Sequence, residues 1–164
     1  CVAWSHDGRL LATGGEDGTV RLWAWNDRGG LVRAFGPHKG SVRSVAFSPD
    51  DKYLAATDEA GTVTVWDIKD KNGPYRQMKG HNGRALAVAF SPDGRRLASA
   101  GADRAVKLWD WQSARDHPEA LSLQGPSSFG FTLTFSADGR RLFASSEGVQ
   151  VWEAQDLRAP PAAP

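Results

Sequence analysis

Two segments of this sequence contain a serine in a context that resembles the Ser-His-Asp triad of hydrolases or its nucleophile turn. Ser5-His6-Asp7 places all three types side by side, but the members of a triad come from separate segments that meet only in the folded protein. Leu97-Ala98-Ser99-Ala100-Gly101 resembles the turn that carries a nucleophilic serine, yet it lacks the first glycine of that turn and lies in a predicted strand. Neither segment therefore predicts a catalytic serine.

Motifs for phosphate, metal or cofactor binding are also missing from the sequence. Gly36-Pro37-His38-Lys39-Gly40-Ser41 reverses the glycine–lysine order of a phosphate-binding loop. The sequence contains one cysteine, Cys1, and one thiol supports neither a disulfide framework nor a cysteine-based zinc site. We therefore expect no enzyme activity, no cofactor and no bound metal.

Charge and hydropathy argue against two further classes of protein. The 164 residues carry 20 basic and 19 acidic side chains, a formal net charge of +1, which argues against a broad nucleic-acid-binding surface. No apolar run approaches the roughly 20 residues of a membrane-spanning helix. We expect neither nucleic acid nor a membrane as a partner, and a cytoplasmic location.

The elements that position these side chains follow from an internal repeat. Four tryptophans are separated by 43 residues each time: Trp23, Trp66, Trp109 and Trp152. The same interval relates His38 to His81, and it relates Val20 to its counterparts in the later copies. A fixed period over so many positions predicts a chain built from repeated supersecondary units.

Within a repeat, apolar residues alternate with period two between turn signals, which is the pattern of short strands. In the third copy this pattern predicts strands at 85–90, 96–100, 105–109 and 119–123. Ser91-Pro92-Asp93-Gly94 has the residues of a tight turn between the first two strands. The sequence therefore predicts an all-β chain of four-stranded units.

Two other sets of residues recur with the repeat. Aspartates occupy the same turn in each copy, at Asp7, Asp50, Asp93 and Asp138. A carboxylate in such a turn accepts backbone N–H groups, so this recurrence favours a structural role over a catalytic one. Trp25 and Trp111 lie two periods apart, and we expect them to pack at loops or edges.

Three motifs in the repeats resemble the tryptophan–aspartate (WD) repeat family. Val88-Ala89-Phe90-Ser91-Pro92-Asp93-Gly94 is similar to its opening strand and turn, Leu108-Trp109-Asp110 to its closing dipeptide, and Gly80-His81 to its Gly-His dipeptide. The resemblance covers about residues 1–153 and implies a β-propeller, in which each repeat supplies a four-stranded blade. The 43-residue period lies within the roughly 40–45 residues of such blades.

On this basis we expect a partial propeller over residues 1–158 and a Pro/Ala tail over 159–164. The blades are expected at about 1–35, 36–79, 80–124 and 125–158, with fifteen strands in an open arc. The resemblance implies a ring, so we expect the chain to be a C-terminal fragment of a longer propeller. The alternative is a dimer in which two arcs form one eight-bladed ring.

The resemblance also implies a buried network of His, Ser or Thr, Asp and Trp in each blade. In the third copy His81, Asp103 and Trp109 match this pattern, and Gly101 is assigned to the hydroxyl position. The second copy matches at His38 and Trp66, with Asp58 assigned to the hydroxyl position and Ala60 in place of the aspartate.

The first and fourth copies match less of the network. The first offers Asp17 and Trp23 with Gly15 at the hydroxyl position, and the fourth keeps Trp152. By these assignments no copy has a complete network, so we expect apolar packing to hold the blades together. The fourth copy is expected to be the least regular.

Propellers of this family serve mostly as platforms for other proteins or peptides, so the resemblance implies a non-catalytic interaction scaffold. The positions that match the partner-binding face of the family are Glu16, Ser41, Arg43, Glu59, Arg84, Leu86, Ala102, Phe129 and Phe131. Ordinary solvated loop residues remain an alternative for each of them. A second functional hypothesis is a regulatory or sensor portion of a larger enzyme, such as a bacterial kinase or NTPase.

Overall fold

A computed structural model describes residues 1–25, 29–113, 119–125 and 132–153 of the chain. These residues form fifteen strands, the number expected from the sequence, and contain no helix. The strands are β1 (Val2–Trp4), β2 (Leu10–Gly14), β3 (Val20–Ala24), β4 (Gly30–Phe35), β5 (Val42–Phe47), β6 (Tyr53–Asp58), β7 (Thr62–Asp67), β8 (Arg76–Lys79), β9 (Ala85–Phe90), β10 (Leu97–Gly101), β11 (Ala105–Trp109), β12 (Glu119–Gln124), β13 (Thr132–Phe135), β14 (Arg141–Ser145) and β15 (Val149–Glu153).

The strands form four antiparallel sheets, and within each sheet the strands lie side by side in chain order. Sheet 1 contains β1–β4, sheet 2 contains β5–β8, sheet 3 contains β9–β12, and sheet 4 contains β13–β15 within the described residues. The predicted all-β fold of four-stranded blades is confirmed. The sequence misplaced the second strand of sheet 3 by one residue, since it runs from Leu97 to Gly101.

Each sheet is apolar on both faces, and successive sheets bury these faces against one another. We name the face that carries the phased tryptophan the Trp face, and the other side the opposite face. The opposite face of sheet 1 packs against the Trp face of sheet 2 in one apolar cluster. Its buried members include Ala12, Val20, Leu22 and Phe35 from sheet 1, and Val45, Phe47, Leu54 and Trp66 from sheet 2.

The same arrangement recurs twice more along the chain. The opposite face of sheet 2 supplies Ala55, Val63, Val65 and Met78, which pack against Val88, Phe90, Leu97, Trp109 and Trp111 of sheet 3. The opposite face of sheet 3 supplies Ala98, Ala100, Val106 and Leu108, which pack against Leu133, Leu142, Ala144 and Trp152 of sheet 4. Three equivalent interfaces therefore hold four sheets in chain order.

Trp25 and Trp111 were both expected to pack at loops or edges, but their burial in the structure differs. Trp111 is buried between sheets 2 and 3, where its ring meets Tyr53 and Phe90. Trp25 is exposed at the end of sheet 1. Within the described ranges, the fold includes no helix with the length and apolar character needed to cross a membrane.

A glycine in the turn between β6 and β7 allows sheet 2 to approach sheet 3 closely. Gly61 has a φ of 78°, in the left-handed region that favours glycine. A Cβ atom at Gly61 would lie 2.7 Å from the carbonyl oxygen of His81 and would also meet that of Gly83. The turn of one sheet therefore rests directly on the backbone that leads into the next.

We expect Gly61→Ala to lower the free energy of unfolding by about 2–4 kcal/mol, because strain at positive φ and a forced backbone shift act together. Gly8→Ala is the matched control: Gly8 has a φ of 69° and no atom near the position of a Cβ. Its expected cost is about 1 kcal/mol. Urea denaturation measures both, and equal costs for the two variants would contradict the close approach.

Candidate functional site

Sheet 3 contains a continuous buried chain of hydrogen-bonding side chains. Nδ1 of His81 lies 3.0 Å from Oδ1 of Asp103, and Nε2 of His81 lies 2.7 Å from Oγ of Ser99. The indole Nε1–H of Trp109 donates to the same Ser99 oxygen at 2.8 Å. Four side chains from the loop before β9, from β10, from the next turn and from β11 are thus joined.

The hydroxyl assignment made from the sequence is therefore wrong. Ser99, two residues before Gly101, supplies the hydroxyl group, and the third copy has the complete network. Both residues lie on the Trp face of β10, because alternate residues of a strand share a face. The period-two sequence pattern therefore could not distinguish Ser99 from Gly101. The hydrogen bond from Trp109 Nε1 identifies Ser99 as the residue that supplies the hydroxyl group.

The direction of the hydrogen bonds in this network follows from their donors. Trp Nε1 only donates and an ionised carboxylate only accepts, so Ser99 accepts a hydrogen bond from Trp109 and Asp103 accepts one from Nδ1–H of His81. In the neutral imidazole Nε2 is then the acceptor, and the Ser99 hydroxyl donates to it. Burial alone would raise the pKa of Asp103, but hydrogen bonds from His81 and the backbone N–H of Asn82 hold that pKa below its usual value.

The Asp103–His81–Ser99 order resembles a hydrolase triad, but its surroundings do not fit nucleophilic catalysis. Ser99 is fully buried, and its oxygen already holds the tryptophan N–H. A substrate carbonyl cannot reach this hydroxyl without opening the interface between sheets. Among the described residues, no group of three or more His, Cys, Asp or Glu side chains is arranged to hold a metal ion.

Sheet 2 makes the same histidine–aspartate contact from a different sequence position. Nδ1 of His38 lies 3.1 Å from Oδ2 of Asp58. Oδ1 of Asp58 accepts the backbone N–H of Ala60 at 3.0 Å and that of Thr62 at 2.9 Å. Asp103 accepts the corresponding N–H from Ala105 at 3.2 Å. Asp58 therefore supplies the network carboxylate, and its assignment to the hydroxyl position is wrong.

In sheets 2 and 3 the carboxylate lies at the same place beside the histidine, although it comes from different positions of the repeat. Asp58 corresponds to Gly101 in the repeat, and Ala60 corresponds to Asp103. A Cβ atom at Gly101 would lie 2.6 Å from Oδ1 of Asp103, so both positions cannot carry a bulky side chain at once. The aspartate has moved by two residues in sheet 2, while the carboxylate has stayed with its histidine.

The network of sheet 2 lacks the hydroxyl group. Ala56 occupies the position of Ser99, and Nε2 of His38 is buried without a hydrogen-bond partner among the described residues. An unpaired buried polar atom costs stability. Sheet 2 therefore keeps half of the network.

Sheets 1 and 4 keep smaller parts of the network. In sheet 1, Nε1–H of Trp23 donates to Oγ1 of Thr13 at 3.0 Å, so Thr13 rather than Gly15 supplies the hydroxyl group. The Arg21 guanidinium, 2.6 Å from Asp17, and the backbone N–H of Thr19 hold the pKa of Asp17 below its usual value. In sheet 4, Trp152 is buried in an apolar cluster beside Ala144.

Seven of the nine sequence-predicted partner-binding residues lie at the end of the sheets that carries the loops of His38 and His81. We call this surface the loop face; it comprises residues 15–18, 36–43, 59–61, 80–86 and 102–104. In sheet 2, the backbone N–H of Glu59 donates to the carbonyl of Ser41 at 3.2 Å, and Nη2 of Arg43 lies 2.8 Å from Oε1 of Glu59. These three residues form one group.

Sheet 3 repeats the backbone part of this arrangement, since the N–H of Ala102 donates to the carbonyl of Arg84 at 2.8 Å. Leu86 is half-buried in β9, and Glu16 is exposed in the turn of sheet 1. That turn is bound to sheet 2, because the N–H of Val42 donates to the carbonyl of Gly15 at 3.0 Å. Phe129 and Phe131 lie outside the described residues.

The four turn aspartates lie at the other end of the sheets and make one recurring pattern. Each accepts a hydrogen bond from the hydroxyl group of the serine two residues earlier, at 2.6–2.7 Å. That serine in turn accepts a backbone N–H at or just before the start of the second strand, at 2.9 Å in all four sheets. The carboxylates therefore brace turns.

These hydrogen bonds lower the pKa of each turn carboxylate. The backbone N–H of Arg9 has the largest effect on the pKa of Asp7, whereas serine hydroxyl groups have the largest effect for Asp50 and Asp138. Burial opposes the decrease at Asp93, where the Ser91 hydroxyl and the Arg95 N–H still bring the pKa below its usual value.

We expect Ala56→Ser to raise the free energy of unfolding by about 1 kcal/mol, because the new hydroxyl group lies where Ser99 lies and pairs with Nε2 of His38. Ala55→Ser is the matched control, since Ala55 is equally buried but faces an apolar cluster. There the hydroxyl group finds no comparable partner and lowers stability. Urea denaturation of both variants makes the comparison, and destabilisation by A56S would refute the assignment.

Acidification should destabilise the fold through the turn aspartates. Their folded-state pKa is lowered, so the stabilisation they provide is present above the unfolded value of about 3.9 and is lost as pH falls through the lower folded value. Asp93→Asn removes one such charge and keeps an acceptor, so stability falls less steeply between about pH 5 and pH 3. Glu147→Gln, in an exposed turn, is the control; identical pH profiles for D93N and the unchanged protein would contradict this role.

Comparison with known proteins agrees with this geometry. The model of the WD domain, G-beta repeat (WD40) family matches residues 1–24, 29–67 and 72–110. The SIR4-interacting protein SIF2 of Saccharomyces cerevisiae is 44% identical over 45 residues, which are 27% of this chain and 8% of that protein. The chain thus matches less than a tenth of the length of this relative. The family segments cover more than half of the chain, which therefore belongs to the WD40 repeat family.

Proposed function

We propose that this chain is a non-catalytic scaffold that binds other proteins or peptides through its loop face. WD40 repeats serve generally in protein interaction, and the yeast relative is described as interacting with the protein SIR4. The observation that carries the proposal is the way neighbouring sheets fix one another's loops at this face. A binding surface built on fixed loops loses little conformational entropy when a partner docks.

The interlocking of the loops is repeated at two successive sheets. The N–H of His38 donates to the carbonyl of Gly18 at 2.9 Å, so the loop that leads into sheet 2 rests on the turn of sheet 1. The turn at Gly61 rests in the same way on the carbonyls of His81 and Gly83. The networks of His38 and His81 hold these loops from within the sheets.

Two exposed arginine side chains of the loop face are the proposed contacts for a partner. Arg43 and Arg84 are exposed on neighbouring sheets, and Glu59 holds the guanidinium of Arg43. Arginine is enriched among the residues that dominate binding energy, because its planar group makes paired hydrogen bonds and stacks on apolar surfaces. These two residues are the proposed anchors for a partner.

The four sheets are proposed to be part of a larger ring. In the described residues the sheets pack in the order 1 to 4, and the outward faces of sheets 1 and 4 expose apolar residues. Further blades of a longer chain would cover these faces, as expected of a C-terminal fragment of a propeller. The loop face would serve equally in a regulatory portion of a larger enzyme.

A displayed peptide library selected on the immobilised chain tests the proposed binding surface. We expect selected peptides to bind R43A and R84A at least about tenfold more weakly than the unchanged protein, in fluorescence anisotropy, as for arginine anchors. Arg140→Ala is the control, because Arg140 is exposed in the turn at the other end of sheet 4. Undiminished binding to both loop-face variants would contradict the proposal.

A further inference from the structure

The turn between the second and third strands carries a different charge in sheet 3 from the charge it has in sheets 1 and 2. The repeat interval of 43 residues aligns the three turns as Glu16-Asp17-Gly18, Glu59-Ala60-Gly61 and Ala102-Asp103-Arg104. In sheet 3 the first position has no acidic residue, and the last position has a basic one. This turn of sheet 3 is therefore more positive than the other two.

The backbone of Arg104 is held in a conformation that favours glycine. Its φ is 60°, and the equivalent residues Gly18 and Gly61 have φ values of 72° and 78°. A residue with a Cβ atom is strained in this left-handed region. Strain of this kind concentrates at functional sites, where the surrounding structure maintains it. The strain therefore points to a role of the Arg104 side chain outside the turn itself.

The guanidinium groups of Arg84 and Arg104 have no acidic partner. Both residues are exposed, and neither forms an ion pair in the part of the chain that the structure describes. Sheet 2 differs, because Oε1 of Glu59 lies 2.8 Å from Nη2 of Arg43. Ala102 takes the place of Glu59 in sheet 3, so the carboxylate that would hold an arginine is missing. Two positive charges therefore face solvent.

Three hydrogen bonds join the two segments that carry these arginines. The N–H of Ala102 donates to the carbonyl of Arg84 at 2.8 Å. Oδ2 of Asp103 accepts the backbone N–H of Asn82 at 2.8 Å, and its Oδ1 lies 3.0 Å from Nδ1 of His81. Both oxygens of this carboxylate are thus engaged within the sheet, and they fix the backbone from which the arginines project.

We propose, building on the proposed scaffold function, that Arg84 and Arg104 bind an acidic segment of the partner protein through a carboxylate or phosphate oxyanion. A guanidinium group matches either oxyanion, because its planar fork donates two parallel hydrogen bonds. The fixed backbone keeps the loss of conformational entropy on binding small. Because the whole chain has a formal net charge of only +1, this local site fits a short acidic peptide better than a nucleic acid.

The displayed peptide library that tests the loop face also tests the charge of its ligand, because the selected sequences reveal their composition. We expect selected peptides to be enriched in aspartate and glutamate relative to the unselected library. Peptides that bind the loop face but lack acidic residues would overturn this inference and leave the scaffold function standing. A selection that yields no binding peptide would contradict the scaffold function and, with it, the acidic site.

Arg104→Gly separates binding from folding, because glycine relieves the strain at a φ of 60°. We expect R104G to unfold at an equal or higher urea concentration than the unchanged protein, yet to bind a selected acidic peptide about tenfold more weakly. Arg84→Gln should weaken binding to a similar extent. Arg95→Gln is the matched control, since Arg95 is exposed in the turn at the other end of sheet 3, and it should bind normally.

Two results with these variants would overturn the proposal. Undiminished binding by both R104G and R84Q would show that the arginines do not contact the acidic peptide. A loss of stability in R104G would assign Arg104 a structural role in the turn, in place of a role in binding.

Three synthetic forms of one selected peptide, with glutamate, phosphoserine or glutamine at the acidic positions, identify the group that is bound. Fluorescence anisotropy should show binding of the glutamine form to be about tenfold weaker or worse, and binding of both acidic forms should weaken as salt is added. The tighter acidic form identifies the oxyanion as carboxylate or phosphate. Equal binding of the glutamine form would overturn the proposal, as would tighter binding of an oligothymidylate of the same charge.

Discussion

The fold depends on a constraint that acts on every strand: both faces of each sheet are apolar, so no sheet can bury its own core. In β10 all five residues are buried, and in β7 only the last residue is partly exposed. Such a sheet needs a neighbour on each side, in contrast to an antiparallel sheet with one solvated face. The 43-residue repeat supplies that neighbour in sequence order, which is why the interfaces between sheets resemble one another so closely.

Burying both faces also creates the demand for the polar network. The turn between the second and third strands of a sheet lies beside these buried interfaces, and its backbone N–H groups need acceptors. In sheets 1 to 3 a carboxylate accepts such an N–H, whether Asp17, Asp58 or Asp103 supplies it. What is maintained between copies is the position of the charge in space, and the sequence position that provides it can differ by two residues.

Much of this could be predicted from the sequence, and the failures have a common cause. Period-two alternation and turn residues located the strands of sheet 3 to within a residue or two, and the phased motifs indicated the family. Ser99 and Gly101 share one face of one strand, so only the three-dimensional reach of the Trp109 indole distinguishes them. Likewise Trp25 and Trp111 are equivalent in sequence, but their burial is decided by whether another sheet covers them. Contacts between residues that are distant in the sequence could not be predicted from a local sequence pattern.

The loop face depends on the same packing that holds the sheets together. The turn at Gly61 rests on the carbonyls of His81 and Gly83, and the N–H of Val42 donates to the carbonyl of Gly15. Arg43 and Arg84 are exposed at these strand ends, so the side chains proposed to bind a partner project from backbone that neighbouring sheets hold in place. Because fixed loops lose little conformational entropy when a partner docks, the interfaces between sheets favour binding without contacting the partner.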